Sequence, residues 1–163
     1  MSQPDYQLLC AQVRSLAEED AHWLPLLSNV SALIMDTLTD LNWAGFYLTD
    51  AREDNSALLL GPFQGKVACV HIAFGKGVCG TAAAADEPQL VPNVHEFPGH
   101  IACDSASNSE VVIPLYAFGQ VVGVLDIDSP LLNRFSAEDF AGLKAVAFTL
   151  DEVTDFSGLP LTK

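Results

Sequence analysis

The sequence predicts an α/β domain of the α+β kind, a central antiparallel sheet flanked by helices. Helix-period apolar patterns stand at both ends of the chain, and pairs of short strand-like runs joined by turns lie between them. No repeat, linker or low-complexity tract interrupts the pattern. With 163 residues the chain suits one domain of common size, so a single unit over 1–163 is expected, with N-terminal helices within 1–40.

The first helix is expected from about Asp5 to Glu18. The second runs from His22 or Trp23 to about Thr39, where Leu26, Leu27, Val30, Leu33, Ile34 and Leu38 recur near a 3.6 period. Trp43–Thr49 alternates as a strand, with Trp43, Gly45 and Tyr47 on one face and Ala44, Phe46 and Leu48 on the other. A polar loop, Asp50–Ser56, leads to a second strand, Ala57–Leu60, ended by Gly61 and Pro62. Lys66–Ile72 reads as a further strand, after which GKGVCG turns the chain into a short helix, Thr81–Ala85. Gln89–Pro92 is extended, and Asn93–Asn108 is irregular and polar, a length that often serves function. Glu110–Leu115 and Gln120–Asp128 form a second hairpin. The last helix carries Phe140, Leu143, Ala147 and Leu150 on one face, with Ser136 and Asp139 at capping spacing.

Twenty-one acids against seven bases give a net charge of −14, which repels a polyanion and makes nucleic acid a poor partner. The apolar residues never form an uninterrupted span, so no membrane insertion is expected. Residues 1–30 hold only Arg14 as a base, unlike a signal peptide, and a cytoplasmic protein is expected.

Chemistry concentrates in two residue sets. In LDIDS, Asp126 and Asp128 share one face of a strand while Leu125 and Ile127 take the other. Neighbouring carboxylates raise one another's pKa, which suits ammonium recognition, proton donation or a divalent metal, and an exposed strand end without a ligand stays open beside these. The second set is cysteine. Four in a reducing compartment suggest redox or metal chemistry rather than a disulfide scaffold. Cys10 stands apart in a helix; Cys69, Cys79 and Cys103 follow at spacings of ten and twenty-four residues. Close zinc-type pairs are missing, although His71, His95 and His100 leave an irregular zinc site open beside isolated thiols and a thiol–disulfide cycle. GKGVCG lacks the spacing of a nucleotide-phosphate loop and reads as a tight turn.

The blocks LNWAGFYL (41–48), LGPFQGKVAC (60–69), GKGVCGTA (75–82), GHIACDSASNSE (99–110), GVLDIDSP (123–130) and RF (134–135) together resemble the free methionine (R)-sulfoxide reductases, single GAF-domain enzymes. The resemblance implies that Cys103 attacks the sulfoxide sulfur, that Cys69 is the main resolving cysteine, and that Cys79 exchanges into or assists the recycling disulfide. It also implies that Trp43 forms an aromatic wall and that Glu110, Asp126 and Asp128 bind and activate free methionine sulfoxide. Neither cofactor nor metal is implied; thioredoxin as reductant and a homodimer are. A noncatalytic GAF module that binds a small ligand or senses redox state is the alternative function. One local question accompanies the resemblance: Cys103 must form a thiolate although nearby acids raise its pKa, with His100 or a helix N-terminus as the offsetting group.

Overall fold

A computed structural model describes residues 3–100 and 105–159. Helix α1 (Tyr6–Glu19) starts where the Asp5 carboxylate accepts the Leu8 N–H at 3.0 Å, satisfying one of the orphan donors of a helix start. Helix α2 (Trp23–Thr37) buries Leu26, Leu27, Val30 and Ile34, the face its periodicity predicts. The last helix, here α4 (Ala137–Val153), opens with a reciprocal capping box between Ser136 and Asp139. Between α2 and α4 lie strands β1 (Trp43–Thr49), β2 (Ala57–Gly65) and β3 (His71–Ala73), helix α3 (Gly77–Ala85), and strands β4 (Gln89–Val91), β5 (Ser109–Ala117) and β6 (Gln120–Ser129). The six strands form one antiparallel sheet in the order β3-β2-β1-β6-β5-β4.

Each central strand divides its side chains between two apolar clusters, as period-two geometry requires. Ala44, Phe46, Leu48, Leu125 and Ile127 join Leu9, Val13 and the buried residues of α2 and α4 on one face. Trp43, Tyr47, Val112 and Val124 join Val78, Cys79, Ala82 and Ala83 of α3 on the other. The helices of the first face cross closely: a Cβ at Gly142 would lie 2.1 Å from the Tyr6 ring, so glycine there lets α1 lie against α4. Cys10, half buried, borders this first cluster as a free thiol.

Three boundaries differ from expectation, each for a nonlocal reason. Strand β2 does not stop at Gly61 and Pro62 but continues to Gly65. Its pairing with β1 jumps from Tyr47↔Leu60 to Gly45↔Phe63, and this bulge accommodates a proline that cannot donate to the ladder. Lys66–Val70, read as strand, lies outside the sheet, which regains only His71–Ala73. Helix α3 starts at Gly77, four residues before Thr81, because burying Val78 and Cys79 against the sheet outweighs the poor helix propensity of glycine. The GKGVCG turn itself is a backbone device. Gly75 and Gly77 have positive φ, and a Cβ on Gly80 would meet the Ala73 carbonyl oxygen at 2.4 Å.

Candidate active site

The second face of the sheet carries a grid of chemistry-bearing residues set by register. Trp43 pairs with Asp128, which pairs with Glu110; one step along, Gly45 pairs with Asp126, which pairs with Val112. Three adjacent strands thus bring Trp43, Glu110, Asp126 and Asp128 to one patch. These residues line a pocket with Tyr47, Ile72, His100, Ser107 and the start of α3 from Lys76 to Cys79. Its aromatic wall is a stack, with ring centroids 5.1 Å apart for Trp43–Phe63 and 5.9 Å for Trp43–Tyr47. Glycine at 45 makes the stack possible, since a Cβ there would lie 2.3 Å from Phe63 Cβ.

Glu110 and Asp126 are 7% and 6% exposed, and their carboxylate oxygens lie within 4.8 Å of each other and of Cys79 Sγ. Burial pushes Glu110 well above the ordinary carboxylate range, and the charges of Asp126 and Asp128 add to the rise. Asp126 is raised to about 6, again by burial, against the lowering effect of hydrogen bonds from Cys79, Glu110 and Asp128. Cys79, 5% exposed on α3, is raised by burial and then by Asp126, Glu110 and Asp128. The cluster therefore stores protons near neutrality. Among the described residues Asp126 Oδ1 is buried without a hydrogen-bond partner, an acceptor in a pocket-lining residue that lacks a donor.

A thiol and two carboxylates are also donors that a divalent cation accepts. The raised proton affinities of Glu110 and Cys79 oppose this, because a cation would have to displace a proton from each. Among the described residues, His71, His95 and His100 do not join the group. His100 lines the pocket, but burial, then His95, lowers its pKa. It is mostly neutral at pH 7 and brings no full positive charge to the pocket.

Cys69 is half-buried in the segment 66–70 and is disulfide-bonded, whereas Cys10 and Cys79 are free. Its carbonyl accepts the Tyr47 hydroxyl at 2.9 Å, and the Lys66 carbonyl accepts the Trp43 indole N–H at 3.2 Å. Cys103, expected as the attacking cysteine, lies outside the described residues. The structure thus brings Cys79, Trp43, Glu110, Asp126 and Asp128 to one pocket, while Cys69 does not line it but packs against the apolar cluster beside it. It adds Tyr47 and Lys76, which sequence reasoning did not single out; Tyr47 was legible only as sharing the Trp43 face.

A sheet carrying this pocket beneath α3 and backed by α1, α2 and α4 is the architecture of a GAF domain, and residues 27–153 match that family. Free methionine-R-sulfoxide reductase of Escherichia coli is 49% identical over 148 residues, covering 91% of this chain and 87% of that protein. The counterpart of Saccharomyces cerevisiae is 51% identical over 144 residues, covering 85% and 79%. The fRMsr of Staphylococcus aureus, solved in complex with substrate, superposes with a TM-score of 0.86 at 44% identity, covering 95% of this chain and 99% of that one. The chain belongs to the free methionine-R-sulfoxide reductase family of GAF-domain proteins.

Proposed function

We propose that this protein reduces free L-methionine (R)-sulfoxide to L-methionine. The reading is carried by one observation: buried, proton-holding carboxyl groups face a pocket walled by Trp43, beside a cysteine already in a disulfide. A free amino acid has an ammonium group that a methionine within a peptide lacks, and Glu110, Asp126 and Asp128 suit it. The first turn of α3 and the Lys76 side chain at the rim suit its carboxylate.

Cys103 attacks the sulfoxide sulfur as its thiolate, and a protonated carboxyl of the Glu110–Asp126–Asp128 group supplies the proton to the sulfoxide oxygen. The oxygen passes to Cys103 as a sulfenic acid, and methionine leaves. Cys69 then attacks Cys103: the S–S bond forms, the S–O bond breaks, and the hydroxyl leaves as water. Cys79 is secondary in this scheme, since its buried, high-pKa thiol must be uncovered before it exchanges. Thioredoxin reduces the disulfide, and the chain works in the cytoplasm as a homodimer of single GAF-like domains spanning 1–163. No helix among the described residues is long and apolar enough to cross a membrane.

The test is dithiol-dependent release of methionine from separated sulfoxide epimers. The wild type consumes the (R) epimer, Cys103→Ser is inactive, and Cys69→Ser completes roughly one turnover but is not recycled by thioredoxin. Ligand binding with no turnover of either epimer would point instead to a noncatalytic GAF module.

A further inference from the structure

We infer that the Tyr47 hydroxyl is a positioning group for the resolving cysteine, so that the wall of the substrate pocket also sets where Cys69 waits. This inference rests on the sulfoxide-reduction reading above.

The segment 66–70 that carries Cys69 has left the sheet, and strand pairing does not fix its first residues. Side chains from β1 fix them instead. Trp43 and Tyr47 sit two turns of the pleat apart, both 2% exposed, and each directs its one polar hydrogen at a carbonyl of this segment, Lys66 and Cys69 respectively. The Val70 carbonyl then accepts the Leu60 N–H at 2.9 Å, returning the chain to β2. Cys69 is held on one side by Tyr47 and on the other by this bond at the next residue. The preceding turn is shaped to the same wall: Gly65 has φ +138°, and a Cβ there would lie 2.5 Å from Trp43 Cδ1.

The hydroxyl cannot readily change role. Burial, then the charge of Asp126, raises the Tyr47 pKa far above its ordinary value, so it remains a donor throughout the working range. Its ring faces the pocket while its oxygen is committed to Cys69. Removing the oxygen and keeping the ring therefore separates two consecutive steps. The first transfers oxygen from the substrate to sulfur. The second forms the S–S bond, breaks the S–O bond of the sulfenic acid and releases water; only this one needs Cys69 in place.

Tyr47→Phe tests the separation in a rapid-quench single turnover of the fully reduced protein. Methionine release is read in one channel, and disulfide formation in another by thiol counting and by trapping sulfenic acid with dimedone. Loss of one oriented hydrogen bond slows disulfide formation about three- to tenfold relative to methionine release, and the dimedone adduct rises to match. Amide exchange across 66–70 quickens in the variant. An unchanged ratio of the two rates overturns the inference, as does unchanged exchange. If wild-type protein releases no methionine from either epimer, the functional reading fails and takes this inference with it; release with an unaltered ratio sinks the positioning role alone.

Discussion

Asp126 and Asp139 are buried to nearly the same degree, 6% and 3% exposed, yet their surroundings differ in kind. Asp139 sits where α4 meets α1, and its oxygens accept from the Tyr6 hydroxyl at 2.6 Å, Gln3 Nε2 at 3.1 Å, the Ser136 N–H at 2.9 Å and the Arg134 guanidinium at 3.1 Å. Burial pushes its pKa up, but the Tyr6 and Ser136 hydrogen bonds and the Arg134 charge outweigh it and leave the group below its ordinary value. Asp126, on the opposite face of the sheet, has other acids and a thiol for neighbours, and its Oδ1 has no hydrogen-bond partner among the described residues. One carboxylate is spent on joining helices. The other keeps a buried oxygen unsatisfied among the described residues.

The largest expected effect is at the pocket. Glu110→Gln or Asp126→Asn removes a proton source or an ammonium partner, and kcat/KM for the free sulfoxide falls about 10²- to 10⁴-fold. Folding stability at neutral pH does not fall, because each change removes a buried acid that has no cationic partner among the described residues. Steady-state kinetics with a denaturant titration reads both. If kinetics are unchanged in both variants, the ammonium-recognition proposal is lost. Asp139→Ala gives the reverse profile: a stability loss of about 3 kcal/mol, because Arg134 is left half-buried without its anion, with far less change in kinetics.

The pH dependence sharpens the contrast. Asp126 holds its proton more tightly when folded, so its contribution to stability is greatest below its unfolded value of 3.8 and is lost as pH rises to about 6. Asp126→Asn therefore gains stability relative to wild type across that window and no more above it. Asp139 has the opposite sign: its contribution is present above 3.8 and is lost as pH falls through its lowered folded value. Thermal melts of the two Asn variants against wild type from pH 3 to 7 should diverge in opposite directions; parallel curves would remove the distinction. The smallest effect is expected at the exposed Arg14–Glu152 pair, 3.0 Å apart, where Arg14→Ala changes stability by about 0.5 kcal/mol or less.

What sequence reading recovered follows the range of the forces involved. The β6 alternation of Leu125 and Ile127 against Asp126 and Asp128 is local, and both faces were legible from it. So was the Ser136–Asp139 cap. The placement of Glu110 opposite Asp128 depends on interstrand register, and only the family resemblance pointed to it. Strand β2 was cut short because Pro62 reads locally as a stop, while the bulge opposite Phe46 that tolerates it depends on β1. The Tyr47 bond to Cys69 joins residues 22 apart in sequence, and no spacing rule signals it.

The central claim is tested most directly by giving reduced protein separated epimers of free methionine sulfoxide, with a peptide containing methionine sulfoxide alongside, and following methionine and disulfide together. The account predicts consumption of the free (R) epimer alone, with methionine and disulfide formed in equal amounts. Consumption of neither epimer, of both at equal rates, or of the peptide as readily as the free amino acid would contradict it.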